Sequence, residues 1–291
     1  MNELSPTPPK PAWFWRIVQF PLTRLVVMGA LFVLLIGVSN GFRAQLESSP
    51  WLALAAAVGM ACLGLAIYFC FVRFIERRPA TELALRGVGR EWGAGALVGA
   101  GLYALCVLIL MIPGIYRVEG LNPWSYLLPA AAMAVSSGVL EEILYRGLLF
   151  RIVEESLGSW IAVVVSSLVF GISHLLNPQA TITGALYISV EAGLLLAAAY
   201  LVTRRLWLSI GFHMAWNYTQ SAIFSGIVSG GDSDPGLVQA TLQGPDVLTG
   251  GKFGLESSLV AFLLCTTAGV VLLVMAVRRG NLVAPFWKRK P

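Results

Sequence analysis

The sequence predicts an all-α fold, a polytopic membrane bundle of about eight transmembrane helices. Of the 291 residues, 57% are hydrophobic and only 12% are charged, whereas a soluble globular domain carries about 25% charged residues. The mean hydropathy is +0.77. Apolar windows of about 20 residues, long enough to span a bilayer as a helix, recur along the chain. Alternation of apolar and polar residues is sparse, which argues against an outer-membrane barrel.

The apolar windows place the predicted spans in order along the chain. They cover residues 22–40, 51–72, 93–113, 124–145, 159–176, 182–202, 206–227 and 257–277. The segment before them, residues 1–10, is polar and rich in proline, and the first apolar run can span a membrane, so no cleavable signal peptide is predicted. Close packing of the third span is predicted from its glycines, Gly93, Gly95, Gly99 and Gly101.

The basic residues orient these spans across the membrane. With the N-terminus inside, only three of the 20 lysines and arginines fall in outer segments, namely Arg43, Arg117 and Lys252. This bias is a strong positive-inside signal, and it predicts that the N- and C-termini are both cytoplasmic. The net charge of +5 therefore reflects topology and contact with anionic lipid, and it requires no nucleic-acid partner.

The distribution of polar residues among the spans divides the chain into three predicted regions. Residues 1–120 hold the first three membrane helices and a basic cytoplasmic loop. Residues 121–227 hold four helices, and the polar side chains within them predict a catalytic core. Residues 228–291 hold a Gly-rich external loop, the last membrane helix and a basic cytoplasmic tail.

The catalytic candidates begin with two adjacent glutamates, Glu141 and Glu142, at the end of the fourth span. Ionisable groups in lipid cost about 2.5–3.5 kcal/mol each, so they usually face a bundle interior and mark a functional site. On a helix, Glu142 and Arg146 are neighbours in the favourable order for an ion pair. Glu141 lies about 100° around the helix and stays unpaired, so it is able to take a proton from water.

The chain has only two histidines, and the first is predicted to meet Glu141. Glu141 and His174 lie at nearly equal distances, about 24 Å, from a helical turn predicted at Gly158. Residues equidistant from such a turn lie at the same depth on facing helices. The fourth helix must then extend about two turns past the lipid, which the amphipathic run 147–156 permits.

The second histidine reaches a similar depth from another turn. Counted from the inner turn at Arg204–Arg205, His213 lies about 12 Å and Asn217 about 18 Å along the seventh span. Together with Glu141 and His174, these two residues are predicted to form one polar layer in the inner half of the membrane. Glu191, about 20 Å above the same turn, is a candidate to support these residues from behind, although a plain interhelical hydrogen bond is the favoured interpretation for it alone.

Three motifs together resemble one family. They are Glu-Glu-x-x-x-Arg at 141–146, Phe-x-x-x-His at 170–174 and His-x-x-x-Asn at 213–217. In this order and on these helices they are similar to the CPBP intramembrane endopeptidases, the type II CAAX-processing and Abi-like bacteriocin-processing proteases. The similarity covers about residues 120–225.

The resemblance implies a cytosol-facing cavity and a role for each motif residue. Glu141 would activate water, and His174 would orient that water or transfer protons. His213 and Asn217 would stabilise the oxyanion of a tetrahedral intermediate. The supporting residues are implied to hold the first glutamate in place or to pack the cavity wall, and they are Glu142, Arg146 and Phe170.

Metal dependence stays open at this point. Glu141, His174 and His213 could form a catalytic His₂Glu zinc site, which would make the protein a metalloprotease. Direct glutamate chemistry is favoured, since no His-Glu-x-x-His motif occurs and asparagine is a poor zinc ligand.

The leading functional hypothesis is an intramembrane endopeptidase that acts on membrane-associated peptides or proteins in the lipid bilayer. The expected location is a cell membrane, specifically a bacterial inner membrane, and the substrate need not be prenylated. A non-catalytic scaffold of the same fold, aiding cell-envelope export or bacteriocin immunity, is the main alternative. A transporter is disfavoured, because neither discontinuous helices nor an inverted repeat is evident.

Overall fold

The predicted helical membrane bundle is confirmed. The structure, a computed structural model, describes residues 13–232 and 235–289, so the segment 1–10 lies outside the described part. The long helices are α1 Pro21–Gln45, α2 Pro50–Ile75, α3 Val88–Met111, α4 Trp124–Leu157, α5 Ser159–Leu176, α6 Ile182–Thr203, α7 Trp207–Tyr218 and α8 Leu259–Arg278. Short helices cover Trp13–Val18 and Asp246–Thr249, and the strands β1 Tyr116–Leu121 and β2 Val238–Leu242 pair antiparallel.

Seven helices in the described residues are long and apolar enough to cross a membrane, and α7 is the exception among the eight predicted spans. It comprises 12 α-helical residues extended by the π-helical turn Thr219–Ile223, so it is shorter than the predicted span 206–227. Most of its residues are buried inside the bundle. The seventh helix is therefore a core element that presents little surface to lipid.

The helix ends follow from local residue chemistry. α1 and α2 begin at Pro21 and Pro50, where the missing amide N–H costs no helical hydrogen bond. α4 runs unbroken through the predicted extension 147–156 and ends before Gly158, whose φ is +82°. This conformation favours glycine, and a Cβ there would lie 2.7 Å from the backbone nitrogen of Pro285. The predicted hairpin turn is thus the observed one.

Glycines bring α3 against α7. A Cβ added at Gly95 or Gly99 would overlap backbone atoms of α7, including the carbonyl of Phe212 at the second position. Gly93 and Gly101 have nothing within 4 Å of such a Cβ. The predicted close packing therefore rests on two of the four glycines. It fixes α7 on the first of the three predicted regions, and the division into regions stays a prediction.

We expect Gly99→Ala to lower the melting temperature of the detergent-solubilised protein. The new methyl group must push α3 away from the backbone of Phe212, and such overpacking costs about 1–3 kcal/mol. Gly101→Ala, two residues further along the same helix, is the matched control and should leave the melting temperature unchanged or slightly raised. Equal melting temperatures for the two variants would contradict the packing described here.

Interlocking contacts define one face of the bundle, here called the basic face. It comprises the loop 76–87, the turns at 158 and 204–206, and the segment 279–289. Leu206 N donates to Glu82 O at 3.0 Å, and Ser159 N donates to Val283 O at 2.9 Å.

Burial opposes ionisation of the Glu82 carboxyl on this face. Two hydrogen bonds from Arg78 and the positive charge of that arginine outweigh the effect of burial, so they hold the pKa of Glu82 below its ordinary value of 4.5.

The opposite face, here called the loop face, carries β1, β2, the connection 177–181 and the loop 224–258. Asn177 Nδ2 donates to Ser229 O at 2.7 Å. Gln179 N donates to Gly230 O, also at 2.7 Å. These bonds hold the loop after α7 against the end of α5.

Candidate active site

One cavity brings together the four residues predicted to be catalytic. It has a volume of about 160 Å³, and its lining includes Glu141, His174, His213 and Asn217. α4 supplies the glutamate near its middle, and α5 supplies the first histidine at its end. α7 supplies the other two residues, which share one face because they are one turn apart.

π-helical turns shape α4 at the first motif. The stretches Ser137–Glu141 and Ile143–Phe150 are π-helical, and they flank Glu142 on both sides. A π turn contains one more residue than an α turn, so it rotates the side chains that follow it, and such turns occur frequently at functional sites. The orientation of the two glutamates is therefore set by irregular helix.

Glu142 links the first motif to the third. Its Oε1 accepts from Arg146 Nη1 at 2.8 Å and from His213 Nδ1 at 3.0 Å. Glu142 and Arg146 are both fully buried, and His213 is 7% exposed. The predicted ion pair between Glu142 and Arg146 is present. The resemblance implied that this pair holds Glu141 in place. In the structure the pair makes no hydrogen bond to Glu141, and Glu142 binds and orients His213 instead.

Arg146 has further partners in the bundle core. Its Nη2 donates to the carbonyl oxygens of Ala192 and Gly193 at 3.4 and 3.2 Å. Its guanidinium carbon lies 4.8 Å from the centre of the Phe170 ring, which permits a cation–π interaction. The arginine therefore ties α4 to α6 and to the aromatic residue of the second motif.

Glu141 brings a carboxylate with a buried, unbonded oxygen into the cavity. Its Oε2 is buried and has no hydrogen-bond partner among the described residues. His174 Nδ1 donates to the carbonyl of Phe170 at 2.7 Å, because a carbonyl oxygen can only accept. The lone pair of neutral His174 is consequently on Nε2. This arrangement provides two groups that can accept protons from a water molecule.

Asn217 is held by a residue that the motifs did not reveal. Its Nδ2 donates to Ser137 Oγ at 3.0 Å, and that hydroxyl donates to Met133 O at 2.9 Å. Ser137 lies one turn before Glu141 on α4 and also lines the cavity. One amide hydrogen of Asn217 therefore remains available for a ligand.

A second missed contact joins α4 to α5. Tyr145 Oη donates to Ser173 Oγ at 2.6 Å. The two residues are nearly equidistant from Gly158, so the count that paired Glu141 with His174 would have found them.

Phe170 and Glu191 lie behind the catalytic cavity. The ring centre of Phe170 lies 4.7 Å from that of His174 and 6.1 Å from that of His213, so it backs both histidines. Glu191 is 1% exposed and lines a separate cavity of about 20 Å³ together with Glu256. His213 also lines this second cavity, and a supporting role for Glu191 behind the catalytic residues stays a prediction.

The side chains do not fit the zinc site that the sequence left open. Among the described residues, no three His, Cys, Asp or Glu side chains are grouped so that they could hold a metal ion. Both histidines use Nδ1 for protein contacts, His174 with Phe170 and His213 with Glu142. These contacts leave both Nε2 atoms free and are compatible with metal binding, so the lack of fit lies in the spacing of the side chains.

The cavity opens on the loop face. Its exposed lining residues are Asn40 near the end of α1, Pro129 near the start of α4, and Asp232 after α7. The cavity thus opens on the face opposite the turn at Arg204–Arg205, and the expectation that it faces the cytosol stays a prediction. Residues 142–150 of α4, which lie between the cavity and the basic face, are all buried.

The fold and the site together show that the chain is a multi-pass membrane protein whose helices enclose a polar cavity. Residues 123–219 match the family model described as type II CAAX prenyl endopeptidase Rce1-like, and this segment contains all three motifs. The match covers residues 123–219 of the 291, and it confirms the predicted resemblance to the CPBP family of CAAX-type intramembrane proteases. No curated protein and no solved structure matches the chain.

Proposed function

We propose that this protein is an intramembrane endopeptidase that hydrolyses peptide bonds through a water molecule activated by Glu141. One observation carries the proposal: a carboxylate oxygen without a protein partner shares a cavity with two histidines and an asparagine. General-base catalysis needs such a free acceptor within reach of water.

In the first step, Glu141 accepts a proton from water while the water oxygen attacks the peptide carbonyl carbon. His174 Nε2, which carries the lone pair of the neutral ring, accepts a hydrogen bond from the same water and orients it. The carbon–oxygen π bond breaks as the new bond forms, and negative charge develops on the former carbonyl oxygen. Positioned acid–base groups of this kind contribute about 10²–10⁴-fold to rate.

Asn217 and His213 would stabilise that developing charge. Asn217 has one amide hydrogen beyond the one used by Ser137. His213 donates from Nδ1 to Glu142, so it can also donate from Nε2 only as an imidazolium. The Glu142 carboxylate would balance this charge. Removing one donor from an oxyanion site costs about 2.7–4 kcal/mol in other hydrolases.

In the second step the tetrahedral intermediate collapses. The oxyanion re-forms the carbonyl, the carbon–nitrogen bond breaks, and protonated Glu141 returns its proton to the leaving amine. The products are a carboxylic acid and an amine, and Glu141 regains its starting state. No group other than water and substrate is consumed.

The proposed substrates are membrane-associated peptides or proteins, and the proposed location is a cell membrane. Helices that are long and apolar enough to cross a bilayer surround the site, so a substrate must reach it within or at the membrane. A scaffold of the same fold would bind such chains without cleaving them. Binding alone transfers no proton, so a scaffold would not require the unpaired carboxylate of Glu141.

We expect the purified protein in liposomes to cleave an internally quenched, membrane-anchored peptide, with products that together contain one added water by mass. The rate should be the same with and without a strong chelator, because the side chains do not fit a metal site. Glu119→Gln, a change of an exposed carboxylate on β1, is the control and should keep full activity.

Two results would overturn parts of this proposal. Folded protein that binds but never cleaves such peptides would favour the scaffold. Activity that a chelator removes and zinc restores would show that metal chemistry is required.

A further inference from the structure

We infer that the catalytic cavity is entered from the extracytoplasmic side, so that its substrates are peptide segments exposed on that side of the membrane. Only the word substrate rests on the proposed endopeptidase function. The direction of entry follows from the arrangement of charges and openings across the bundle.

The two faces differ strongly in basic residues. On the loop face, the described lysines and arginines are Arg43, Arg117 and Lys252. On the basic face and in the helix ends next to it they are Arg16, Arg24, Arg73, Arg77, Arg78, Arg86, Arg90, Arg151, Arg204, Arg205, Arg278, Arg279, Lys288 and Arg289. Lysine and arginine near helix ends set orientation irrespective of neighbouring acidic residues, so the basic face is cytoplasmic.

The contacts show that these basic residues share one face in space as well as in sequence. Arg24 Nη2 donates to Glu155 at 2.9 Å, which joins the start of α1 to the end of α4. Arg279 Nη1 donates to Val202 O at 3.0 Å, which joins the end of α8 to the end of α6. The cytoplasmic assignment therefore applies to these four helix ends together.

Ion pairs close this cytoplasmic face. Arg24 pairs with Glu76 at 2.8 Å, and Arg204 pairs with Glu154 at 2.5 Å. A cavity of about 350 Å³ lies among these groups, and it has no lining residue in common with the catalytic cavity. A peptide at the cytoplasmic surface therefore meets a separate, charge-lined depression.

The route from the loop face is open down to the catalytic residues. Asn40 and Asp232 lie at the exposed end of the lining, Met133 and Ser137 lie further along α4, and Glu141 follows. Each of these positions lines the same cavity. Since the loop face is opposite the cytoplasmic face, a chain that enters here comes from outside the cytoplasm.

Cysteine labelling in intact cells tests the direction of entry. In a chain whose four cysteines are replaced, we would introduce Asn40→Cys at the opening, Met133→Cys inside the cavity, and Leu85→Cys on the basic face. Leu85 is 73% exposed and serves as the matched control. A membrane-impermeant maleimide should label the first two in intact cells and the third only after the membrane is opened.

Every other pattern overturns the inference. Labelling of Leu85→Cys alone in intact cells would invert the topology. Labelling of Asn40→Cys without Met133→Cys would show that the cavity is not entered from that opening. Labelling needs no catalysis, so a protein that shows the expected pattern but cleaves no peptide would refute the endopeptidase proposal and leave the direction of entry standing.

Discussion

Replacing Glu141 by glutamine is expected to reduce peptide cleavage by about 10²–10⁴-fold while leaving the protein folded. The amide cannot accept the proton of the attacking water, although its size and shape are nearly those of the acid. The Oε2 atom of Glu141 has no hydrogen-bond partner among the described residues, so the change breaks no contact there. Turnover of the membrane-anchored peptide and the melting temperature, measured on one preparation, check both parts.

The control for this variant is Glu47→Gln, which changes an exposed carboxylate just beyond the end of α1. It should have the rate and the melting temperature of the unchanged protein. A Glu141→Gln protein that cleaves as fast as the control would exclude this glutamate as the base. A variant that is inactive because it has unfolded would be recognised by its lost melting transition.

Replacing Arg146 by methionine is expected to destabilise the protein by about 3–5 kcal/mol, since it leaves a fully buried carboxylate without its arginine partner. Glu142 would keep its bond to His213. The carbonyls of Ala192 and Gly193 would also lose a donor. Denaturation in mixed detergent micelles would measure the loss.

The double variant Glu142→Leu with Arg146→Met separates stability from activity. With both charges removed, no uncompensated charge stays buried, and much of the stability should return. Cleavage should stay low, because His213 has lost the carboxylate that binds its Nδ1. Arg117→Met, at an exposed arginine that donates to Gly114 O, is the control and should change neither property. Full stability in Arg146→Met alone would show that the buried pair is not needed.

Much of the site is predictable from spacing along the chain. Glu142 and Arg146 are one turn apart, so their ion pair follows from helix geometry. Glu141 and His174 come from the two arms of one hairpin, so counting from Gly158 is sufficient to bring them to one cavity. Tyr145 and Ser173 follow from the same count.

Counting residues along the chain does not predict the contacts between helices that are distant in sequence. The bonds from His213 to Glu142 and from Asn217 to Ser137 join helices that are far apart in sequence. They depend on how each helix is rotated about its axis. The π-helical turns on both sides of Glu142 change that rotation, and the sequence has no simple pattern that reveals them.

The sequence by itself determined the class and the set of polar residues and predicted the orientation, because hydropathy, basic charge and helical spacing are properties of short stretches of chain. Only the tertiary structure decided which face the cavity opens on. Helix tilt and the length of α7 are set by packing, such as the contact of Gly99 with Phe212. A count of rise per residue assumes parallel helices of full length, so it placed the four residues together but did not reveal the face on which their cavity opens.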